Sequence, residues 1–340
     1  MKKILLLAVI TLFFYSCSTN DGPSAGIPED NNLVRTNNIV SIGHISANVF
    51  GSIVPAQLAS ISAYGICYGL SANPSVSGQT VQSTNANSET GNFSCLLTSL
   101  SSNTTYHVRA YATINGETKY GHDLTFNTLS QLYTNGNGVT DVNGTSYPSI
   151  IINGKQWMKT NLSVTKYKNG DVIPEVTDLT QWDNLTTGAW CYYANDTANG
   201  TIYGKLYNWY AVNDPRGLAP AGWHIATDTE WTSLTNFLGG GTTAGSKLKL
   251  QGEPWSTNSA VSTNQSGFSA LPAGYGYLTF PPEGQTTYEP FLDVTNVTYW
   301  WTATATNTPT SWTWNVNLNN QLTRSNVHKK AALSVRCIKN

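Results

Sequence analysis

The sequence predicts an all-β sandwich followed by an α+β domain, and three observations carry that reading. Between residues 37 and 129, runs such as ISANVFGSI, SAYGICYGL and TTYHVRAYATI are short, strand-like and separated by turn residues. Helical periodicity first appears beyond residue 200, among further β-like segments. Charged residues make up only 11% of the chain, against about 25% in a typical domain. Aromatics also reach 11%, which excludes disorder as the cause. Polarity therefore comes from neutral hydrogen-bonding groups.

At 340 residues the chain has room for two domains, each with its own core. A net charge of -1 leaves no basic field, so nucleic acid is not an expected partner. The N-terminus, MKKILLLAVITLFFYSC, has Lys2 and Lys3, an apolar run from Ile4 to Tyr15, and then Ser16-Cys17. That is the order of a signal peptide, and the run is too short to span a membrane. Its end resembles a bacterial lipobox of the looser Bacteroidetes type. The resemblance implies a lipidated Cys17 as a membrane anchor on the cell envelope, at the outer membrane. Residues 18–36 are rich in Gly, Pro and Asn and read as a flexible tether.

In the first module, residues 37–129, Tyr106, Val108, Ala110 and Ala112 alternate with His107, Arg109 and Tyr111, the period of a half-buried strand. Asn115-Gly116 then signals a two-residue hairpin. His107 and His122 fall at outward positions, as surface side chains. The stretch LTSLSSNTTYHVRAYATINGETKYGHDLTFNT resembles the last three strands of a fibronectin type III-like domain, a module that commonly serves as a spacer.

Residues 130–138 read as a linker. The second module, 139–340, opens with Asn143-Gly144 and Asn153-Gly154 bracketing Tyr147, Ile150 and Ile152, a predicted hairpin. Tyr203, Leu206, Tyr207, Tyr210 and Ala211 follow a helical spacing and predict one apolar helix face. Thr227-Asp228-Thr229-Glu230 fits a capping box, with Asp228 favouring the helix dipole. Trp231, Leu234 and Leu238 supply the buried face of that helix, and Gly239-Gly240-Gly241 ends it. The exported setting and the even count per region predict two intradomain disulfides, Cys67–Cys95 and Cys191–Cys337.

Six ordered blocks of the second module carry a specific resemblance: VNGTSYPSIIINGKQWMKTNL, GAWCYYANDTANGTIYGKLYNWYAV, GLAPAGWHIATDTEW, SGFSALPAGY, YWWTATA and LSVRC. Together they are similar to the Fibrobacter succinogenes major paralogous domain. The resemblance implies a C-type-lectin-like fold, more distantly related to the formylglycine-generating sulfatase-modifying group. Ala219 stands where many members have Cys, and Ala226 where Pro is usual. That leaves Cys337 without the usual partner, which again points to Cys191.

The chemistry follows from what is missing. No reactive cysteine pair, Gly-x-Ser-x-Gly elbow or phosphate loop is present. His224 could serve as a base, but Glu230 and Asp228 are accounted for by the helix cap, so His224 reads as structural and the chain as non-enzymatic. Calcium would need several oxygen ligands in one loop. Glu283, Glu289 and Asp293 lie scattered without that cadence, so no cofactor is expected, and calcium is left open without a recognisable motif. In SWTWNVNLNN, Trp312, Trp314, Val316 and Leu318 should face the core, placing Thr313, Asn315, Asn317 and Asn319 outward. Asn offers donors and acceptors without charge. The expected ligand surface is therefore Asn315, Asn317, Asn319 and Arg324, with Tyr275, Tyr277 and Tyr299 as stacking faces. The expected ligand is a glycan or a protein. An assembly component of a surface appendage or envelope complex is the alternative, and an uncharacterised enzyme the third.

Overall fold

The computed structural model describes residues 33–252, 254–256, 261–276, 289–306 and 309–340. The signal-peptide and Cys17 assignments, the tether up to residue 32, Tyr277 and Glu283 lie outside the described residues.

Eight strands build the first module: β1 (Val34–Val40), β2 (Ala47–Ile53), β3 (Ile61–Gly69), β4 (Gln79–Gln82), β5 (Asn92–Leu97), β6 (Thr105–Ile114), β7 (Glu117–Tyr120) and β8 (Leu124–Asn127). One sheet runs β1-β2-β5 and the other β4-β3-β6-β7, with β8 also pairing with β6. This is the two-sheet arrangement of a fibronectin type III-like sandwich. Val49, Ile66, Phe93, Val108, Ala110 and Phe126 fill the space between the sheets. The predicted hairpin is present, with Asn115 and Gly116 at φ 49° and 82°, the left-handed pair a type I′ turn requires. Tyr106 closes the corner before β6 by accepting the Ser101 N–H at 3.0 Å.

The segment read as a linker is built into the second module. Thr134–Asn135 forms β9, which pairs with Ile150 and Ile151. Around it the two modules meet through side chains. Gln251 donates to Ser41 O at 2.7 Å and accepts from Ser46 Oγ. Gln265 donates to Ser130 O at 2.7 Å, and its carbonyl accepts from Leu132 N–H at 3.0 Å. The Tyr133 ring meets the buried His44 edge-on at 5.7 Å. It also lies over Gly267, where a Cβ would come within 2.5 Å of the ring.

In the second module β10 (Val139–Thr140) and β11 (Ser146–Tyr147) form a small ladder, and β12 (Ser149–Ile152) turns at Asn153-Gly154 into β13 (Lys155–Met158), as the sequence predicts. After α1 (Leu179–Asp183), β14 (Trp190–Cys191), α2 (Thr197–Tyr203) and β15 (Leu206–Tyr207) comes α3 (Trp209–Val212). The single helix expected over residues 203–211 is thus replaced by a helix end, a strand and a second short helix. Gly204 at φ 80° stops the first helix, and Leu206–Tyr207 pairs with Trp190–Cys191. The helical spacing was satisfied by residues that belong to three elements.

β16 (Trp223–Ile225) leads to α4 (Asp228–Phe237) and α5 (Gly241–Leu248), followed by β17 (Ala273–Gly276), β18 (Phe291–Val294), β19 (Val297–Ala305), β20 (Thr310–Asn317), β21 (Leu322–His328) and β22 (Cys337–Lys339). One sheet is ordered β16-β22-β13-β12-β9 and the other β18-β17-β19-β20-β21. Gly239 and Gly240, at φ 99° and 90°, end α4, while Gly241 already belongs to α5. β19 separates two cores. Trp301 enters the one with Tyr207, Trp223 and Leu333, and Trp300 enters the one with Trp157, Trp231 and Phe268.

A buried guanidinium ties these pieces together. Arg336 is 1% exposed, and burial brings its pKa down to about 9. It donates to Asn161 Oδ1 at 2.8 Å, Met158 O at 2.9 Å and Phe268 O at 3.1 Å, and stacks over the Phe268 ring. Asn161 in turn accepts from Trp300 Nε1 and donates to Tyr203 O and Ser334 Oγ. Its amide therefore uses all four of its hydrogen-bonding positions.

The cysteine pairings are corrected. Cys67, Cys95, Cys191 and Cys337 are four buried free thiols. Cys67 Sγ donates to Pro74 O and Arg109 O, and Cys95 Sγ to Val81 O, and burial raises both pKa values to about 11. Cys191 packs in a satellite cluster with Trp182 and Leu206, whereas Cys337 lies in the core that contains Ala219.

Two outcomes are expected. Arg336→Met leaves Asn161, Met158 and Phe268 acceptors buried without their donor, so urea unfolding should show a loss of about 3–5 kcal/mol, and Arg336→Lys should not restore it. Burial holds the His44 pKa below the ordinary value, opposed by a backbone hydrogen bond at Thr263 and aided by the charge of Lys159. The unfolded chain then takes up the proton more readily. The His44 contribution is complete above about pH 6.5 and is lost as pH falls through the folded-state value. Thermal unfolding across pH 7 to 5 should fall more steeply for the wild-type chain than for His44→Gln.

Candidate functional site

The residues that most resemble catalytic machinery are committed to the fold. Thr227 Oγ1 accepts from Glu230 N–H at 3.3 Å and Glu230 Oε2 accepts from Thr227 N–H at 2.9 Å, so the predicted capping box is present. His224 Nε2 lies 3.0 Å from the same carboxylate, and its Nδ1 lies 2.7 Å from Asn340 Oδ1. Burial pushes the Glu230 carboxyl upward. The Thr227 backbone, the His224 ring and the Thr227 hydroxyl outweigh that, and its pKa ends below the usual value. Asp228 does more than face the helix dipole, because it accepts from Trp314 Nε1 at 3.0 Å and pairs with Arg324. Ala226 donates its N–H to Arg336 O at 3.2 Å, a bond that a proline at this position would remove.

The expected outward row of asparagines is corrected. β20 is covered on both faces: Trp314 and Val316 are buried on one side, Thr313 and Asn315 on the other. Asn315 exchanges hydrogen bonds with Thr323, donating to its carbonyl at 3.3 Å and accepting from its hydroxyl at 3.0 Å. Asn317 Oδ1 accepts the N–H groups of Asn319 and Gln321, which shapes the turn into β21. The buried Lys249 holds that turn from beneath through Asn317 O and Leu318 O, and burial lowers its pKa to about 8. Of the three, Asn319 alone is exposed. Arg324 Nε and Nη2 bond Asp228 at 2.7 Å each, and its guanidinium stacks on Trp312 at 3.4 Å.

The register gathers a different surface. Tyr299 stands opposite Asn315, and Asn315 opposite Thr323. Tyr275 joins the row from β17, its ring edge-on to Tyr299 at 5.0 Å. Tyr193 lies against Gly274, where a Cβ would come within 2.6 Å of its ring. Burial raises the Tyr275 and Tyr299 pKa values, and the charge of Asp293 adds to both. Asp293 is exposed, on a strand irregularity opposite Gly274, at φ 59°; two residues on, Thr295 has φ 71°. Left-handed backbone is uncommon for Asp and a clear outlier for a β-branched residue.

The structure therefore brings Tyr275, Tyr299 and Asn315 together and leaves Asn319 and Arg324 apart from them. Sequence reasoning had Asp293 only as a scattered carboxylate and Tyr193 not at all, since nothing local reveals that Tyr193 packs against Gly274 and Phe291. A larger groove of about 710 Å³ follows Asn135–Thr140 and Ser146–Ser149 beside Lys159. Its one aromatic, Tyr147, is committed to Asp141 at 2.7 Å. Among the described residues no group of three or more His, Cys, Asp or Glu side chains is placed to hold a metal ion.

Stability separates these roles. Thr227→Ala should cost about 1 kcal/mol, and Asn315→Ala about 1 kcal/mol or more. Asn319→Ala should stay within about 0.5 kcal/mol, all by equilibrium urea unfolding.

Among solved structures the chain is similar to a human fibronectin type III domain, at 13% identity over 29% of this chain and 74% of that one, TM-score 0.22. It is also similar to the sensor domain of an anti-sigma factor from Pseudobacteroides cellulosolvens, at 21% identity over 28% of this chain and 92% of that one, TM-score 0.22. A second human fibronectin type III domain gives 18% identity over 33% and 94%, TM-score 0.19. No curated protein matches. Residues 150–339, the span that holds the Arg336 network, the capping box and the tyrosine row, match the Fibrobacter succinogenes major domain, and the chain belongs to that family.

Proposed function

We propose that this chain is a cell-envelope lipoprotein that presents a non-catalytic ligand-binding domain on a β-sandwich spacer. Cys17 carries the lipid, residues 18–36 form the tether, and residues 139–340 adopt a C-type-lectin-like fold that recognises a glycan or a protein. The observation that carries the reading is the contrast between two groups of side chains. His224, Glu230, Asp228 and Arg324 are consumed by the cap and its ion pairs, while Tyr275 and Tyr299 stand half-buried on a sheet face, with Asn315 opposite Tyr299. Half-buried aromatics with a polar rim are the usual composition of a recognition surface. The dense contacts around Tyr133 and Gln251 suit a spacer that holds its cargo at a fixed attitude.

Two measurements test this. Metabolic labelling with a fatty-acid analogue should mark the wild-type protein and not Cys17→Ser, which should appear in the soluble fraction; labelling of the variant overturns the anchor. Adsorption of the full chain to cells and to immobilised glycans should fall at least tenfold in Tyr299→Ala and stay unchanged in Asn319→Ala. Turnover of any substrate that His224→Ala abolishes without lowering the melting temperature would overturn the non-catalytic reading.

A further inference from the structure

We infer that the joint between the two modules is a proton-operated latch: a second proton on the His44 ring releases the second module from the sandwich while each module stays folded. Such a latch operates whatever the second module binds.

Among the described residues the two modules share a joint and no common core. The buried apolar side chains of the sandwich come from Val34 to Phe126, and those of the second module from Tyr147 onward, with Leu132 and Tyr133 packed against one of its cores. The links between them are polar. Gln251 joins Ser41 O and Ser46 Oγ, Gln265 joins Ser130 O, and the His44 ring meets Tyr133. A joint without a large apolar interface can open at a small fraction of the cost of unfolding.

His44 stands inside that joint, on the turn between β1 and β2, and is 1% exposed. Its ring lies edge-on to Tyr133, with Nε2 3.5 Å from Tyr133 Oη. Nδ1 is buried without a hydrogen-bond partner among the described residues. A neutral imidazole carries one N–H, but an imidazolium carries two and needs two acceptors. The Thr263 backbone favours the proton, yet it leaves Nδ1 unsatisfied. The turn has little room to rearrange: a Cβ on the neighbouring Gly43 would come within 2.9 Å of Ser46 Oγ, 3.0 Å of Gln251 Oε1 and 3.1 Å of Thr263 O.

No countercharge is at hand among the described residues. Lys159, just past β13, is the charged group that bears on the ring, and it opposes a second cation. Burial pushes the Tyr133 hydroxyl up, so it stays neutral. The remaining neighbours, Ser41, Ser46, Gln251, Thr263 and Gln265, carry no charge. In an open joint the ring meets water and titrates at about 6.5, whereas burial holds it lower in the closed one. The open form therefore takes the proton more readily. The latch is shut above about pH 6.5 and weakens as pH falls through the closed-state value, by up to about tenfold in the closure constant per pH unit.

The test uses the full chain with spin labels on Ser77→Cys and Asn319→Cys, both exposed, in a Cys17→Ser background. The four other thiols are buried. Dipolar spectroscopy should give one narrow distance at pH 7.5. By pH 5.0 a broad population should have grown about tenfold, reversing on return to pH 7.5, with near-UV and far-UV circular dichroism unchanged. His44→Gln should stay narrow across the range, and Lys159→Gln should need more acid to open. Should His44→Gln already be broad at pH 7.5, the wild-type chain decides: in histidine-labelled protein the His44 ring resonance should titrate in step with the opening, with a one-proton slope. A wild-type distance that stays narrow at pH 5.0 overturns the latch, as does acid opening of His44→Gln equal to that of the wild type. A His44 titration out of step with the opening also overturns it, and so does loss of circular dichroism together with the narrow distance, because the event is then unfolding.

Discussion

One buried cation, with no carboxylate partner among the described residues, organises the second module. Arg336 gives its guanidinium to two backbone carbonyls and one side-chain amide, and those acceptors come from two distant parts of the chain, Met158 with Asn161 and Phe268. An unpaired charge inside a protein is costly, and it is retained only where hydrogen bonds replace its hydration shell. The planar fork suits acceptors in several directions, which a lysine could not satisfy. Asn161 extends the network to Trp300, Tyr203 and Ser334. The blocks QWMKTNL, YGKLYNWYAV, SGFSA, YWWTATA and LSVRC thus meet around one polar centre. Their order in the sequence records an architecture more than a reaction.

The same principle explains the helix start that looks catalytic. A histidine, a glutamate and an aspartate within seven residues would suggest acid–base chemistry in isolation. Here Glu230 is shared between the Thr227 backbone and the His224 ring, and Asp228 joins Trp314 and Arg324 to the first turn of α4. Each carboxylate already has donors, so little of its capacity remains for a substrate.

Much of this was legible in the sequence wherever the signal is local. Asn115-Gly116 and Asn153-Gly154 specify hairpin turns because left-handed backbone is favourable at those residues, and Thr227 with Glu230 specifies a cap through a reach of three residues. The misreadings arose where several elements or two faces share one pattern. Residues 203 to 211 matched a helical period although Gly204 divides them and a strand intervenes. The alternation in SWTWNVNLNN was real, but it separates one core from another rather than core from water, and Asn315 and Thr313 satisfy themselves across strands. Nor could spacing reveal that the thiols of Cys191 and Cys337 belong to different clusters.

The double burial of β20 has a consequence for how this surface can change over generations. A strand packed on both sides behaves as a beam: nearly every substitution along it is felt by one core or the other. Freedom to vary lies at its ends and beside it, at Asn319 and Gln321 in the turn and at Asn326 on the edge strand, where side chains are exposed. Change is therefore concentrated at the rim while the beam keeps the frame, so that the outline of the domain can drift without altering how it folds.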